Sequence, residues 1–238
     1  MNPSRWASGR LKCLLVGLTM RKMSLRRIAP LLLVLALFPI SRFDCRHGDE
    51  KAPAEPKAGK LVPDAIAAKL IEAGWDERVE GGLGLWVSAA RQELIGIRGD
   101  RVEFVYPCST AAKGMGNREN SNQTPTGWHK IEERIGGNAP WGTIFVERKS
   151  TGKTWATDQV TEKDYVLTRI MWLRGLEPGI NAGPGVDSHD RYIYIHGTPA
   201  EDKIGTPASM GCIRLRNDDV ITLFETVESG TPVLITEW

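Results

Sequence analysis

The 238-residue chain has only four cysteines and four histidines, and neither type is set out for disulfide or metal chemistry. There is no Cys-x-x-Cys and no His-x-x-x-His pair. His189, His196 and Cys212 have suitable donor types for zinc but lack a fourth ligand, so neither a metal nor a cofactor is expected. Four scattered cysteines are also too few for a disulfide framework. Cys13 and Cys45 lie near the N-terminus, which leaves Cys108 and Cys212 for the body. In the strand-like Phe104 to Cys108 segment, Cys108 reads as a small hydrophobe, since a bridge to Cys212 would remove a reactive thiol. The body has no clustered basic face, which argues against nucleic-acid binding, and no internal repeat.

No apolar run is long enough for an ordinary membrane span, but one has a targeting pattern. Arg21, Lys22, Arg26 and Arg27 precede the apolar stretch Ile28 to Ile40, the length and flanks of a signal-peptide core. Residues 1–45 therefore read as a signal peptide or an N-terminal anchor, the only expected membrane contact, and the body as exported to the periplasm or cell envelope. Met23 would make a more ordinary start, so residues 1–22 can be an over-extended N-terminus. No small-x-small cleavage site follows Ile40, which keeps the anchor open, and Arg42-Phe43-Asp44 before Cys45 lacks the small residues of a lipidation site. The formal charge of +2 is dominated by this leader: residues 1–46 hold nine of the 31 basic residues and one of the 29 acidic ones. The remainder has 22 bases against 28 acids, about −6.

Residues 46–61 are a Pro/Ala/Lys-rich linker, and residues 62–82 a short helical extension in which Asp64 caps a helix that ends at Gly74. From Leu83 to Trp238 the pattern is mainly β. Strands are expected at Leu83 to Ser88, Glu93 to Ile97, Arg101 to Tyr106, Trp128 to Glu133, Gly142 to Glu147, Tyr165 to Leu173, Arg191 to His196 and Thr231 to Thr236. Arg98-Gly99-Asp100 reads as a hairpin turn, and Ser109 to Gly127 as a long polar loop. Val220, Leu223, Phe224 and Val227 have helical spacing, so one principal helix spans about 217–228, with Asn217 as its cap.

The chemistry concentrates at one thiol and one imidazole. Cys212 follows Ser209-Met210-Gly211, and His196 ends an apolar strand sixteen positions earlier. A thiolate is the competent form of a cysteine nucleophile, and a neighbouring imidazole can generate it. Period two places Tyr192, Tyr194 and His196 on one strand face. Gly197 would let the chain turn beside the ring, and Gly211 would do the same before the thiol. The N–H groups of Met210, Gly211 and Cys212 are candidate oxyanion donors. Arg214 is either a substrate-carboxylate fork or an ion-pair partner of Asp218 or Asp219. Ser209 shapes the turn or bonds within the pocket, and Tyr194 lines the pocket or packs. His189 reads as solvated and His129 as a half-buried structural residue.

Tyr194-Ile195-His196-Gly197-Thr198, followed by Pro207-Ala208-Ser209-Met210-Gly211-Cys212-Ile213-Arg214-Leu215, resembles the signature of the YkuD-type L,D-transpeptidase catalytic domain. Pro125-Thr126-Gly127, and Arg169 with Met171 and Trp172, resemble further stretches of that family. The resemblance covers Leu83 to Trp238. It implies a mainly β, YkuD-like sandwich of mixed sheets with Cys212 as nucleophile and His196 as general base and acid. The implied substrates are peptidoglycan stem peptides, acylated on Cys212 with release of D-alanine. The acyl group then passes to an amine, with a wall-anchored lipoprotein among the conceivable acceptors, or to water in an L,D-carboxypeptidase-type hydrolase. Family members usually carry His before the Gly-Cys pair, where this chain has Met210. If that position acts through its backbone N–H, Met210 supplies the same donor. If its imidazole is needed, the domain is slowed or reduced to non-catalytic peptidoglycan binding.

Overall fold

The computed structural model describes residues 59–156, 161 and 163–238. The expected leader and most of the linker lie outside these residues. Among the described residues no helix is long and apolar enough to cross a membrane.

Two helices open the described chain, α1 (Asp64–Glu72) and α2 (Trp75–Val79), separated by Gly74 in the left-handed region. Asp64 does not cap α1: it is the first helical residue, and Pro63 at the cap position has no side-chain donor or acceptor to offer. The strands are β1 (Leu83–Ser88), β2 (Glu93–Arg98), β3 (Arg101–Pro107), β4 (Gly127–Ile135), β5 (Thr143–Val146), β6 (Lys149–Thr154), β7 (Val166–Gly175), β8 (Tyr194–Gly197), β9 (Ile213–Leu215) and β10 (Pro232–Thr236). The principal helix α3 (Asn217–Thr226) precedes β10. The fold is mainly β with mixed pairing, in the order β3-β2-β1-β10-β4-β7-β5-β6, and β8 and β9 branch from β7.

Two pairings are parallel, β1 with β10 and β8 with β9. The hairpin turn at Gly99-Asp100 lies where expected, with Gly99 at a φ of 57°. β6 has no counterpart in the sequence reading, since all six of its residues are exposed and it shows no apolar alternation.

β7 organises the centre. It carries apolar side chains on both faces, and nearly every residue is buried. β4 and β5 pair along one edge and β8 along the other. The register slips between Leu167 and Ile170, where Thr168 adopts a φ of 70°. A β-branched residue in the left-handed region is costly, and three contacts hold it. Thr168 Oγ1 donates to Asn217 Oδ1 (2.5 Å) and accepts from the Gly142 N–H (3.1 Å), while its carbonyl accepts from Arg169 Nη1 (2.7 Å). This bulge bends β7 where β8 and α3 meet it.

α3 packs Val220, Leu223 and Phe224 into the main core with Leu85, Ile131, Met171, Ile195, Ile213 and Leu215. Cys108 is fully buried in the same cluster as a free thiol, and burial raises its pKa. On the other sheet face, Leu70, Trp75 and Val79 of the helical extension pack with Trp86, Ile95, Ile97, Trp128 and Leu234. Trp75 and Trp128 lie 5.7 Å apart, and the Trp128 indole donates to the Ala73 carbonyl (2.6 Å). The extension therefore covers an otherwise bare sheet face. Trp75→Ala should cost about 3–5 kcal/mol, seen as a lower denaturant midpoint; a change within error would show that the extension is dispensable.

His129 is fully buried, more enclosed than the half-buried position expected. Its Nδ1 lies 3.0 Å from the Gly127 carbonyl and its Nε2 2.9 Å from Ser188 Oγ. Burial lowers its pKa to about 4. With an ordinary unfolded value of about 6.5, the unfolded chain takes up the proton first. Its contribution to stability is thus complete above pH ~6.5 and is lost toward pH ~4, roughly 3 kcal/mol at the limit. Unfolding midpoints should fall across that window, and His129→Asn should flatten the slope; an equally steep slope in the variant would refute this source.

Candidate active site

β8 carries Tyr194 and His196, and all four of its residues are buried. Against β7, Trp172 faces Tyr194 and Ile170 faces His196; against β9, Ile195 faces Ile213 and His196 faces Arg214. This parallel register puts Cys212, one residue before β9, level with Tyr194. The Tyr194 N–H donates to Cys212 Sγ (3.4 Å), and the thiol donates to the Tyr192 carbonyl (3.5 Å).

Tyr192 does not belong to the strand, contrary to the period-two reading. It sits at a φ of 56°, is about half exposed (52%), and lies in a turn that precedes β8. That turn is gathered by Asp187, whose carboxylate accepts from the N–H groups of Gly183, His189 and Asp190. His189 is likewise not solvated: its ring stacks on Trp172 with centroids 3.8 Å apart and planes 6° from parallel.

His196 is almost completely buried. Its Nδ1 lies 2.7 Å from the Gly197 carbonyl. A carbonyl can only accept, so Nδ1 carries the proton and Nε2 presents the lone pair. Desolvation lowers the His196 pKa with Arg214 adding to the effect, while Asp164 and the Gly197 bond oppose it. Desolvation acts on Cys212 in the opposite sense and pushes its thiol up to about 12. The Tyr194 bond, Arg214 and Arg191 pull that value down, and Asp164 pushes it further up. Both groups therefore rest neutral. Among the described residues no hydrogen bond joins Cys212 to His196: the thiol proton is turned to Tyr192 instead.

The turn before the thiol is built by Ser209 and Gly211. Buried Ser209 donates through Oγ to the Cys212 carbonyl (2.6 Å) and accepts the Gly211 N–H (3.2 Å). This is the turn-shaping alternative. It also engages one of the three expected oxyanion donors, while the Met210 and Cys212 N–H groups donate to no turn or loop partner among the described residues. Gly211 has a φ of 131°, where an L side chain is strained. The Met210 side chain is exposed (64%).

Gly197 makes neither a turn nor an open space. It lies within β8, and an added Cβ would come 2.3 Å from Asn217 Oδ1 and 3.0 Å from the Leu167 carbonyl. It is small because Asn217 packs there. Asn217 does not cap α3 as expected, because its side chain points inward. Its amide donates to the Thr198 carbonyl (2.9 Å) and to Glu201 Oε1 (2.7 Å), and Glu201 accepts the Asn217 N–H (2.7 Å) in the capping role.

Arg214 pairs with neither Asp218 nor Asp219. It is buried, and its Nη2 donates to Asp164 Oδ2. Arg214 Nε and Asp164 Oδ1 are also buried and have no partner among the described residues. With this guanidinium committed, it is not the free carboxylate fork expected from the motif.

Three charged residues around the site have no signal in the motif. Asp164 holds Arg214. Arg191 donates to the carbonyls of Gln123 (2.7 Å) and Gly116 (3.2 Å), tying the long polar loop to the turn before β8. Arg148 donates to the Tyr194 hydroxyl (3.3 Å). Each acts across tens of residues of sequence, and only a charged residue beside an otherwise apolar strand hinted at Arg191. Tyr194 itself is buried, with Trp172 edge-on at 5.7 Å and His196 edge-on at 6.5 Å, so it both packs and borders the thiol.

The family model for the L,D-transpeptidase catalytic domain, YkuD, matches residues 84–235. The probable L,D-transpeptidase ErfK/SrfK of Salmonella typhimurium is 39% identical over 141 residues, 56% of this chain and 40% of that protein. Its Escherichia coli K12 namesake is 40% identical over 101 residues, 40% of this chain and 31% of that protein. The chain thus spans well under half the length of these relatives. Among solved structures, an L,D-transpeptidase from Xylanimonas cellulosilytica is similar at 17% identity and a TM-score of 0.42, covering 74% of this chain and 70% of that one. L,D-transpeptidase 3 from Mycobacterium tuberculosis is similar at 15% identity and a TM-score of 0.40, covering 66% and 62%. Because the family model matches well over half of the chain, spanning the strand with His196 and the turn with Cys212, the protein belongs to the L,D-transpeptidase catalytic domain family.

Proposed function

We propose that the protein is an exported cysteine L,D-transpeptidase that acts on peptidoglycan stem peptides in the periplasm or cell envelope. The observation that carries this reading is the β7-β8-β9 arrangement: a half-buried thiol on the Tyr194 N–H beside a strand whose imidazole is held neutral with its Nε2 lone pair available. The family assignment adds the reaction class.

In the proposed reaction His196 Nε2 takes the Cys212 proton as the sulfur attacks the carbonyl carbon of the third, L-configured stem residue. The C=O electron pair moves to oxygen, and the Met210 and Cys212 N–H groups are the donors available to that oxyanion. Collapse breaks the amide, His196 returns the proton to the departing nitrogen, and D-alanine leaves a thioester on Cys212. An acceptor amine then attacks the thioester, loses its proton to His196 and releases the thiol. The acceptor is a neighbouring stem peptide or a wall-anchored lipoprotein; water in its place gives hydrolysis. Since the Met210 side chain points to solvent, position 210 contributes through its main chain, which favours catalysis over a binding-only domain.

Two measurements test this. Incubated with disaccharide-tetrapeptide, the protein should release D-alanine and form a thioester mass adduct on Cys212, and Cys212→Ala should abolish both. Wild-type protein that does neither would sink the reading. The resting protonation state is testable separately: with the thiol near 12, the iodoacetamide rate at Cys212 should rise about tenfold per pH unit through pH 6–9 with no plateau. A plateau near neutrality would mean a preformed thiolate-imidazolium pair.

A further inference from the structure

The β5–β6 hairpin sets a further guanidinium, Arg148, against aromatic residues that flank the thiol. Val146 pairs with Lys149, so Glu147 and Arg148 are the two loop residues. Both have positive φ, 49° and 66°, the geometry of a two-residue turn that usually recruits Gly or Asn. Neither residue is Gly or Asn, so the turn holds backbone strain of the kind that persists where the surrounding structure requires it.

What the strained turn achieves is the placement of Arg148. Its guanidinium lies over the Trp172 ring (4.6 Å) and the Tyr192 ring (4.9 Å), and Nη1 donates to the Tyr194 hydroxyl (3.3 Å). All three aromatic residues border Cys212: Tyr192 and Tyr194 contact its sulfur through their main chains, and Trp172 pairs with Tyr194. Other guanidinium groups near the thiol are already engaged, Arg214 by Asp164 and Arg191 by main-chain carbonyls. No carboxylate pairs with Arg148 among the described residues. Its one hydrogen bond uses one of five N–H donors, and the planar group leaves a two-donor edge for a carboxylate.

We propose that Arg148, flanked by Trp172 and the Tyr194 hydroxyl, is a carboxylate-binding subsite that holds the terminal carboxylate of the acyl donor. The proposal rests on the transpeptidase reading above and assigns to Arg148 the role that the buried Arg214 cannot fill. A single tyrosine links the two ends of the site, with its N–H on the sulfur and its hydroxyl on the guanidinium. The arrangement makes Arg148 a specificity determinant for donors ending in a free carboxylate one residue beyond the scissile carbonyl.

The test compares donor tetrapeptides that end in a carboxylate or a carboxamide, following formation of the Cys212 acyl-enzyme by mass spectrometry with wild type, Arg148→Gln and Arg148→Lys. Wild type should favour the carboxylate by about 10- to 100-fold in kcat/KM, the range for a hydrogen bond to a charged group. Arg148→Gln should bring the ratio close to one by slowing the carboxylate donor alone, and Arg148→Lys should restore part of it. An unchanged ratio in Arg148→Gln, or equal loss on both donors, overturns the proposal. If wild type acylates with neither donor, the transpeptidase reading fails instead. Arg148 is then read by alkylation of Cys212 with anionic iodoacetate against neutral iodoacetamide: a ratio that Arg148→Gln lowers supports carboxylate binding, and an unmoved ratio overturns it. Iodoacetamide alone should react equally with wild type and Arg148→Gln, which checks that the variant is folded.

Discussion

The parallel pairing of β8 with β9 is the constraint on which the site depends. Parallel strands cannot be joined by a tight turn, so the chain must leave β8 after Gly197, cross over, and re-enter beside it. The crossover carries the Glu201–Lys203 turn and then Ser209-Met210-Gly211, which delivers Cys212 one residue before the new strand. Facing His196 with Arg214 and Ile195 with Ile213 leaves the thiol level with Tyr194. A slip of one residue would send the sulfur to the opposite face, away from the Tyr194 N–H. Because β8 is paired on both edges and buried on both faces, that register is strongly specified.

The same enclosure decides the electrostatics. Burial opposes the charged form of each partner, raising the thiol and lowering the imidazole. The nearby charges act with smaller effect than burial: Arg214 is paired with Asp164, and Arg191 donates to loop carbonyls. A buried ion pair is weak evidence for stability, because desolvation can cancel its attraction. The value of Asp164–Arg214 is more naturally local. It sets one positive and one negative charge close to His196, with opposing effects on both reactive groups.

Much of this was legible in local pattern. Most of the expected strands lie within a residue or two of where the sequence puts them, although β8 begins three residues late and the short β9 was not expected, and α3 follows from Val220, Leu223, Phe224 and Val227. What was not legible depends on partners distant in sequence. β6 is wholly exposed and has no pattern to read. Tyr192 leaves the strand because the Asp187 turn forces it into the left-handed region, a constraint set outside the β8 residues themselves. Asn217 has the composition of a cap, but the Thr168 bulge and the Thr198 carbonyl draw its side chain inward. The position of the thiol and imidazole was visible because both sit in one short motif. The partners of the guanidinium groups were not, since Arg214 finds Asp164 fifty positions away and Arg148 finds Tyr194 forty-six positions away.

The turn before the thiol shows how the demand on neighbouring residues differs. Ser209 must reach two main-chain groups at once, so loss of its hydroxyl would leave the Cys212 carbonyl and the Gly211 N–H without that partner. Gly211 must adopt a φ of 131°, and the Gln123 carbonyl and Ile193 Cδ1 would each lie 3.4 Å from an added Cβ. Met210 meets neither demand: its side chain is exposed and its main chain alone faces the turn. Methionine at position 210 therefore leaves the geometry of the turn intact, because that geometry is set by the serine before it and the glycine after it.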